Sequence, residues 1–152
     1  MKKAIFIDGL LLHFSAMNKN FSYSKFKTLL KDLGIDTIYY FNCIKGKEDF
    51  LKKLLELGFI LRIRKPISRK TDHVKTVYGV DTDIIMTVME KINDYEDFYI
   101  LSGKLDMIPL IEKLEEHNKK VTIVGFESSI NAGFFNYKTL LLDNYFTSIT
   151  PP

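Results

Sequence analysis

Short runs of β-branched and aromatic residues recur along this chain, and between them lie stretches whose apolar residues repeat at helical spacing. That alternation is what most restricts the fold. Lys3–Asp8, Asp36–Cys43, Phe59–Lys65, Asp97–Ser102 and Val121–Gly125 read as strands. Between them, a helix capped by Ser22 or Ser24 runs to about Leu33 and stops at Gly34. A second covers Glu48–Leu57 and closes at Gly58. Val80–Ile92 and Ile108–His117 supply two more. Lys138–Leu142 is expected to be helical, Tyr145–Ile149 to form a short sixth strand, and the polar stretch Pro66–Tyr78 to be a loop. Strands alternating with helices call for a mainly parallel sheet of five or six strands, covered on both faces: a three-layer α/β, Rossmannoid domain. Without a repeat, a low-complexity tract or a linker, residues 1–152 are expected to form one domain.

Composition excludes several classes. At 46% hydrophobic and 27% charged, the chain is neither disordered nor membrane-spanning, and no apolar run approaches the ~20 residues a bilayer demands. Asp8 interrupts the apolar stretch of the opening MKKAIFIDG, which makes it a strand rather than a secretion signal and implies a cytoplasmic protein. A single cysteine, Cys43, rules out an internal disulfide and a cysteine-based zinc site. His13, His73 and His117 have no spacing suited to a metal site or a triad. The net charge of +3 is mild, but Arg62, Arg64, Lys65, Arg69, Lys70 and Lys75 crowd into one segment with Asp72 as the sole acid, which suits phosphate contacts.

The acids fall where such a sheet places its chemistry, outside the carboxyl ends of the strands. Asp8 closes the first strand, Asp106 follows the turn Ser102-Gly103 after the fourth, and Asp81 opens the helix that feeds the fourth, with Asp83 two residues on. Singly, each has a structural explanation: Asp81 and Asp106 as helix N-caps, Asp8 as a turn residue with Gly9. Together at one sheet edge, Asp8, Asp81 and Asp106 form a carboxylate set of the kind that selects Mg²⁺ or Mn²⁺, and such an ion promotes in-line phosphoryl displacement.

The same residues resemble the NYN domain family, the LabA-like branch of the PIN-like nucleases, over nearly the whole chain. Phe6–Gly9 is similar to the family's opening Ile-Asp-Gly-x-Asn; Ile38–Asn42 and Gly58–Pro66 resemble its second and third strands. Lys75 with Gly79–Asp81 resembles its Lys…Gly-Val-Asp segment, Leu101–Gly125 its Ser-Gly-Asp-x-Asp-Phe-x-Pro-Leu block and following strand, and LLLDNYFTSI its closing segment. The resemblance implies a metal-dependent ribonuclease (a hydrolase) that acts on single-stranded RNA, and it allows for a homodimer. Carried over residue by residue, it places metal on Asp8, Asp81 and Asp106; Asp83 is read as an assisting carboxylate, and RNA contacts are expected from the basic residues Arg62, Arg64, Arg69, Lys70 and Lys75 with Lys104, Ser102 and Ser128.

Three positions depart from the pattern. The opening asparagine falls at Leu11, the second helical acid at Thr87, and the first aspartate of the Ser-Gly-Asp block at Lys104. Asp83, one turn before Thr87, is a substitute for the missing carboxylate. Lys104 changes the local charge by two units, and its ammonium either replaces the metal or snorkels outward to phosphate. The alternative to a working nuclease is therefore a degenerate NYN domain that binds RNA or a protein partner, with Lys104 in place of the ion. A nucleotide-binding domain of another class lacks its glycine-rich phosphate loop here.

Overall fold

The structure, a computed structural model, describes residues 1–68, 75–76 and 79–149. Six strands form one sheet, in which every pairing is parallel: β1 (Lys3–Asp8), β2 (Thr37–Cys43), β3 (Ile60–Arg64), β6 (Asp97–Leu101), β7 (Lys120–Gly125) and β8 (Thr139–Leu141). Their order is β3-β2-β1-β6-β7-β8. β4 (Ile67–Ser68) and β5 (Lys75–Thr76) pair antiparallel outside it. The helices are α1 (Gly9–Ser15), α2 (Tyr23–Asp32), α3 (Glu48–Glu56), α4 (Asp81–Glu90) and α5 (Ile108–Glu116).

β1 lies at the centre, and Ala4 through Ile7 are fully buried because both faces are covered. The period-two alternation of a strand splits its side chains between two cores. Phe6 joins Tyr39, Phe98, Ile84, Val88 and Leu110 under α4 and α5, while Ile5 and Ile7 join Phe26, Leu30, Tyr40 and Leu54 under α2 and α3. Each such buried side chain contributes roughly 1.5–3 kcal/mol relative to exposure. Ser22 caps α2 by accepting from the Lys25 N–H at 3.1 Å, and Gly34 and Gly58 take positive φ just past α2 and α3.

Three expectations fail. Thr139–Leu141 is a strand paired with β7 rather than a helix, its register running from Ile123↔Thr139 to Gly125↔Leu141. The expected strand at Tyr145–Ile149 reduces to one antiparallel bridge between Lys19 and Ser148. Part of the expected loop at 66–78 pairs as β4 and β5. Among the described residues, no helix is long and apolar enough to cross a membrane.

Candidate functional site

Strand order reverses across β1: the chain continues to β2 on one side and to β6 on the other. The crevice at the carboxyl ends of these strands is where an α/β sheet leaves room for a ligand. Asp8 ends β1 there and caps α1, its Oδ1 accepting from the Leu11 N–H at 3.1 Å. Burial pushes the Asp8 carboxyl above its ordinary value. The Leu11 N–H opposes that shift, the Asp81 charge adds to it, and Lys104 counters it.

Asp81 is the first residue of α4, and its side chain is only 17% exposed. One oxygen, Oδ2, accepts from the Lys104 ammonium at 2.7 Å; the other, Oδ1, is buried without a hydrogen-bond partner among the described residues. Lys104 sits on extended backbone just before the single turn Leu105–Met107, and its side chain is 58% exposed. The Asp81 hydrogen bond and charge raise its pKa, with smaller contributions from Asp8 and Asp106. Asp8, Asp81 and Lys104 line one cavity of about 260 Å³ with Leu10, Phe14 and Asn42. The ammonium therefore faces the acids rather than snorkelling away.

The remaining sequence candidates are dispersed. Asp106 lies on the Leu105–Met107 turn, is exposed, and is not among the residues lining that cavity. Asp83 is two residues beyond Asp81, about 200° around the helix, so it faces β3 instead. There it accepts both Nε and Nη2 of Arg64, the latter at 2.8 Å, and Arg64 holds its carboxyl below the usual value. Thr87 lines a separate cavity beside β3 with it, as their four-residue spacing requires, and Asp83 is not among the residues lining the cavity that holds Asp8. Ser102 is 1% exposed with its hydroxyl buried, out of reach of a phosphate backbone. Ser128 is exposed on the turn Glu127–Ser129.

Within the basic segment, Arg62 projects from the edge strand with its guanidinium 5.8 Å from the Tyr39 ring centroid, and Arg64 is committed to Asp83. Arg69 and Lys70 lie outside the described residues, as does the side chain of Lys75. Sequence reasoning missed α1, whose Leu10 and Phe14 form one wall of the cavity, and Asn42, at the end of the quoted Ile38–Asn42 run. The signal for α1 was present: an aspartate in N-cap position followed by Leu-Leu-Leu-His-Phe.

The sequence model of the NYN domain matches residues 2–141. The chain belongs to the NYN domain family. In structure, this NYN chain is similar to a protein of unknown function from Vibrio parahaemolyticus, with a TM-score of 0.76 at 20% identity, covering 92% of this chain and 91% of that one. At that identity the likeness concerns the fold. No curated protein sequence matches significantly.

NYN nucleases are typically metal-dependent, so the cavity is to be judged against a divalent ion. The buried, unpartnered Oδ1 of Asp81 beside Asp8 suits a cation. The donor set as a whole does not: among the described residues no group of three or more His, Cys, Asp or Glu converges, and an ammonium already occupies Oδ2.

Proposed function

We propose that this NYN domain binds single-stranded RNA without cutting it, its acidic cavity balanced by the Lys104 ammonium instead of a metal ion. The observation that carries this reading is the 2.7 Å pair between Lys104 Nζ and Asp81 Oδ2, at the position where the family's Ser-Gly-Asp-x-Asp block has its first carboxylate. A cation bound there neutralises charge without generating hydroxide or polarising a phosphoryl oxygen, the two contributions a metal makes to hydrolysis. Neither Thr87, in place of the second helical acid, nor Asp83, turned to Arg64, makes up the loss. RNA as the ligand rests on membership of the family, and the exposed Arg62 on the edge strand is consistent with it.

A second reading retains metal-dependent hydrolysis, in which Lys104 swings out when an ion arrives. The unpartnered Oδ1 of Asp81 favours it. Calorimetry with Mn²⁺, together with binding and cleavage of labelled single-stranded RNA, separates the two. The expected result is RNA binding by the wild type with neither Mn²⁺ heat nor cleavage, and Mn²⁺ binding gained by Lys104→Asp. Mn²⁺ binding and cutting by the wild type, both abolished by Asp8→Asn, would establish the second reading instead.

A further inference from the structure

A larger cavity adjoins the acidic one and has no part in the acid chemistry. Its volume is about 500 Å³, and Leu10, Phe14 and Asn42 belong to the walls of both. From the single-stranded RNA reading above, on which this step rests, we infer that this second cavity is a nucleobase subsite: one unpaired base stacks on Phe14, against the amide of Asn42, with Lys47 beside a flanking phosphate.

Phe14 is 59% exposed, a large ring on α1 with an open face, and stacking on such a face is how proteins hold unpaired bases. His13 adjoins it edge-on with ring centroids 5.5 Å apart, and Phe50 and Tyr40 also line the cavity. An apolar slot alone would take many ligands, and Asn42 narrows the choice. It is 5% exposed, and its amide orientation is fixed from both ends: Oδ1 accepts from the Cys43 N–H at 2.8 Å, and Nδ2 donates to the Tyr40 hydroxyl at 3.1 Å. Among the described residues, one N–H and one lone pair of that amide remain uncommitted. A donor and an acceptor side by side are what an amide uses to read an adenine edge. Charge selects in the same direction. The lining residues include Lys47 and His13 but no carboxylate, whereas the adjoining cavity holds two. A base enters the carboxylate-free slot and its phosphate meets the lysine.

The test measures fluorescence anisotropy with a short labelled oligoadenylate and with the same strand carrying abasic riboses. Phe14→Ala is expected to weaken oligoadenylate binding about 10- to 100-fold and to leave the weaker abasic binding unchanged, while Phe14→Trp restores the affinity. Lys47→Gln is expected to flatten the salt dependence by about one unit for both strands. Because Phe14 is exposed, an unchanged unfolding transition in each variant confirms that the fold is intact. Equal binding of both strands by wild type and Phe14→Ala overturns the subsite while leaving RNA binding in place. Failure of the wild type to bind either strand overturns the RNA reading and the subsite with it. Loss of self-association in Phe14→Ala, seen by sedimentation with RNA affinity unchanged, assigns the face to a second copy of the chain and also overturns the proposal.

Discussion

Gly9 lies so close to the buried ring of Tyr40 that a Cβ built on it would collide with Cζ and stand 2.5 Å from the hydroxyl oxygen. The contact joins the first residue of α1 to the strand that carries Asn42, and so fixes the junction between the two cavities. Tyr40 is 1% exposed and cannot swing away. Gly9→Ala is therefore expected to destabilise the protein by roughly 1–3 kcal/mol through overpacking, lowering the melting temperature by about 2–12 °C. Thermal unfolding checks it; an unchanged melting temperature would mean that the ring yields freely.

The Tyr39 and Tyr95 hydroxyls meet at 3.0 Å within the core under α4 and α5, and burial pushes the Tyr95 phenol up to about 12. The folded protein thus holds this proton more tightly than the unfolded chain, whose tyrosines titrate near 10. The corresponding stability is fully present below pH ~10 and is lost as pH rises through the folded value. Tyr95→Phe is expected to cost about 1 kcal/mol at neutral pH and to remove part of the alkaline loss. Denaturant midpoints across that range measure both effects; identical alkaline slopes in the two proteins would contradict the assignment.

Asp83 and Arg64 make a bidentate pair that ties α4 to the edge strand β3. Asp83→Asn is expected to cost about 0.5–1 kcal/mol, at the upper end for a partly exposed ion pair. It is expected to leave RNA affinity and any response to Mn²⁺ as in the wild type, because the side chain faces the separate cavity beside β3. A change in Mn²⁺ response would return Asp83 to the acid group.

The sheet was legible because its central strands are buried on both faces and read as unbroken apolar runs. Lys3–Asp8 and Asp97–Leu101 needed no further context. Thr139–Leu141 was misread because three residues are too few to show a period, and its strand conformation comes from pairing with β7. Asp8 and Asp81 could be placed together from the sequence because each ends or begins an element at the same sheet edge, and both line one cavity. Asp83 reads as an assisting carboxylate from the face it shares with Thr87; the structure turns that face to Arg64 and β3, and the cavity beside Asp8 is lined by Asp81 instead. Asn42 carried no sign of its own, since an asparagine at the end of an apolar strand gains meaning only when α1 folds over it.

Lys104 and Asp81 bear the last prediction. With the Lys104 side chain 58% exposed, the pair itself contributes only about 0.5–1 kcal/mol, so Lys104→Ala is expected to lower stability by about that amount. Lys104→Asp goes further, because a third carboxylate joins Asp8 and Asp81 with no cation to separate them, and its destabilisation is expected to exceed that of the alanine variant. The consequence for metal follows from linkage. An ion that binds only the folded state stabilises it by about 2.7 kcal/mol at a hundredfold excess over Kd, a rise of about 5–10 °C in a domain of this size. Mn²⁺ is therefore expected to raise the melting temperature of Lys104→Asp by that order, of Lys104→Ala by less, and of the wild type not at all. A thermal-shift titration of the three proteins with Mn²⁺ reads this without any RNA present. A wild-type shift as large as that of Lys104→Asp would show that the ammonium yields its place to the ion.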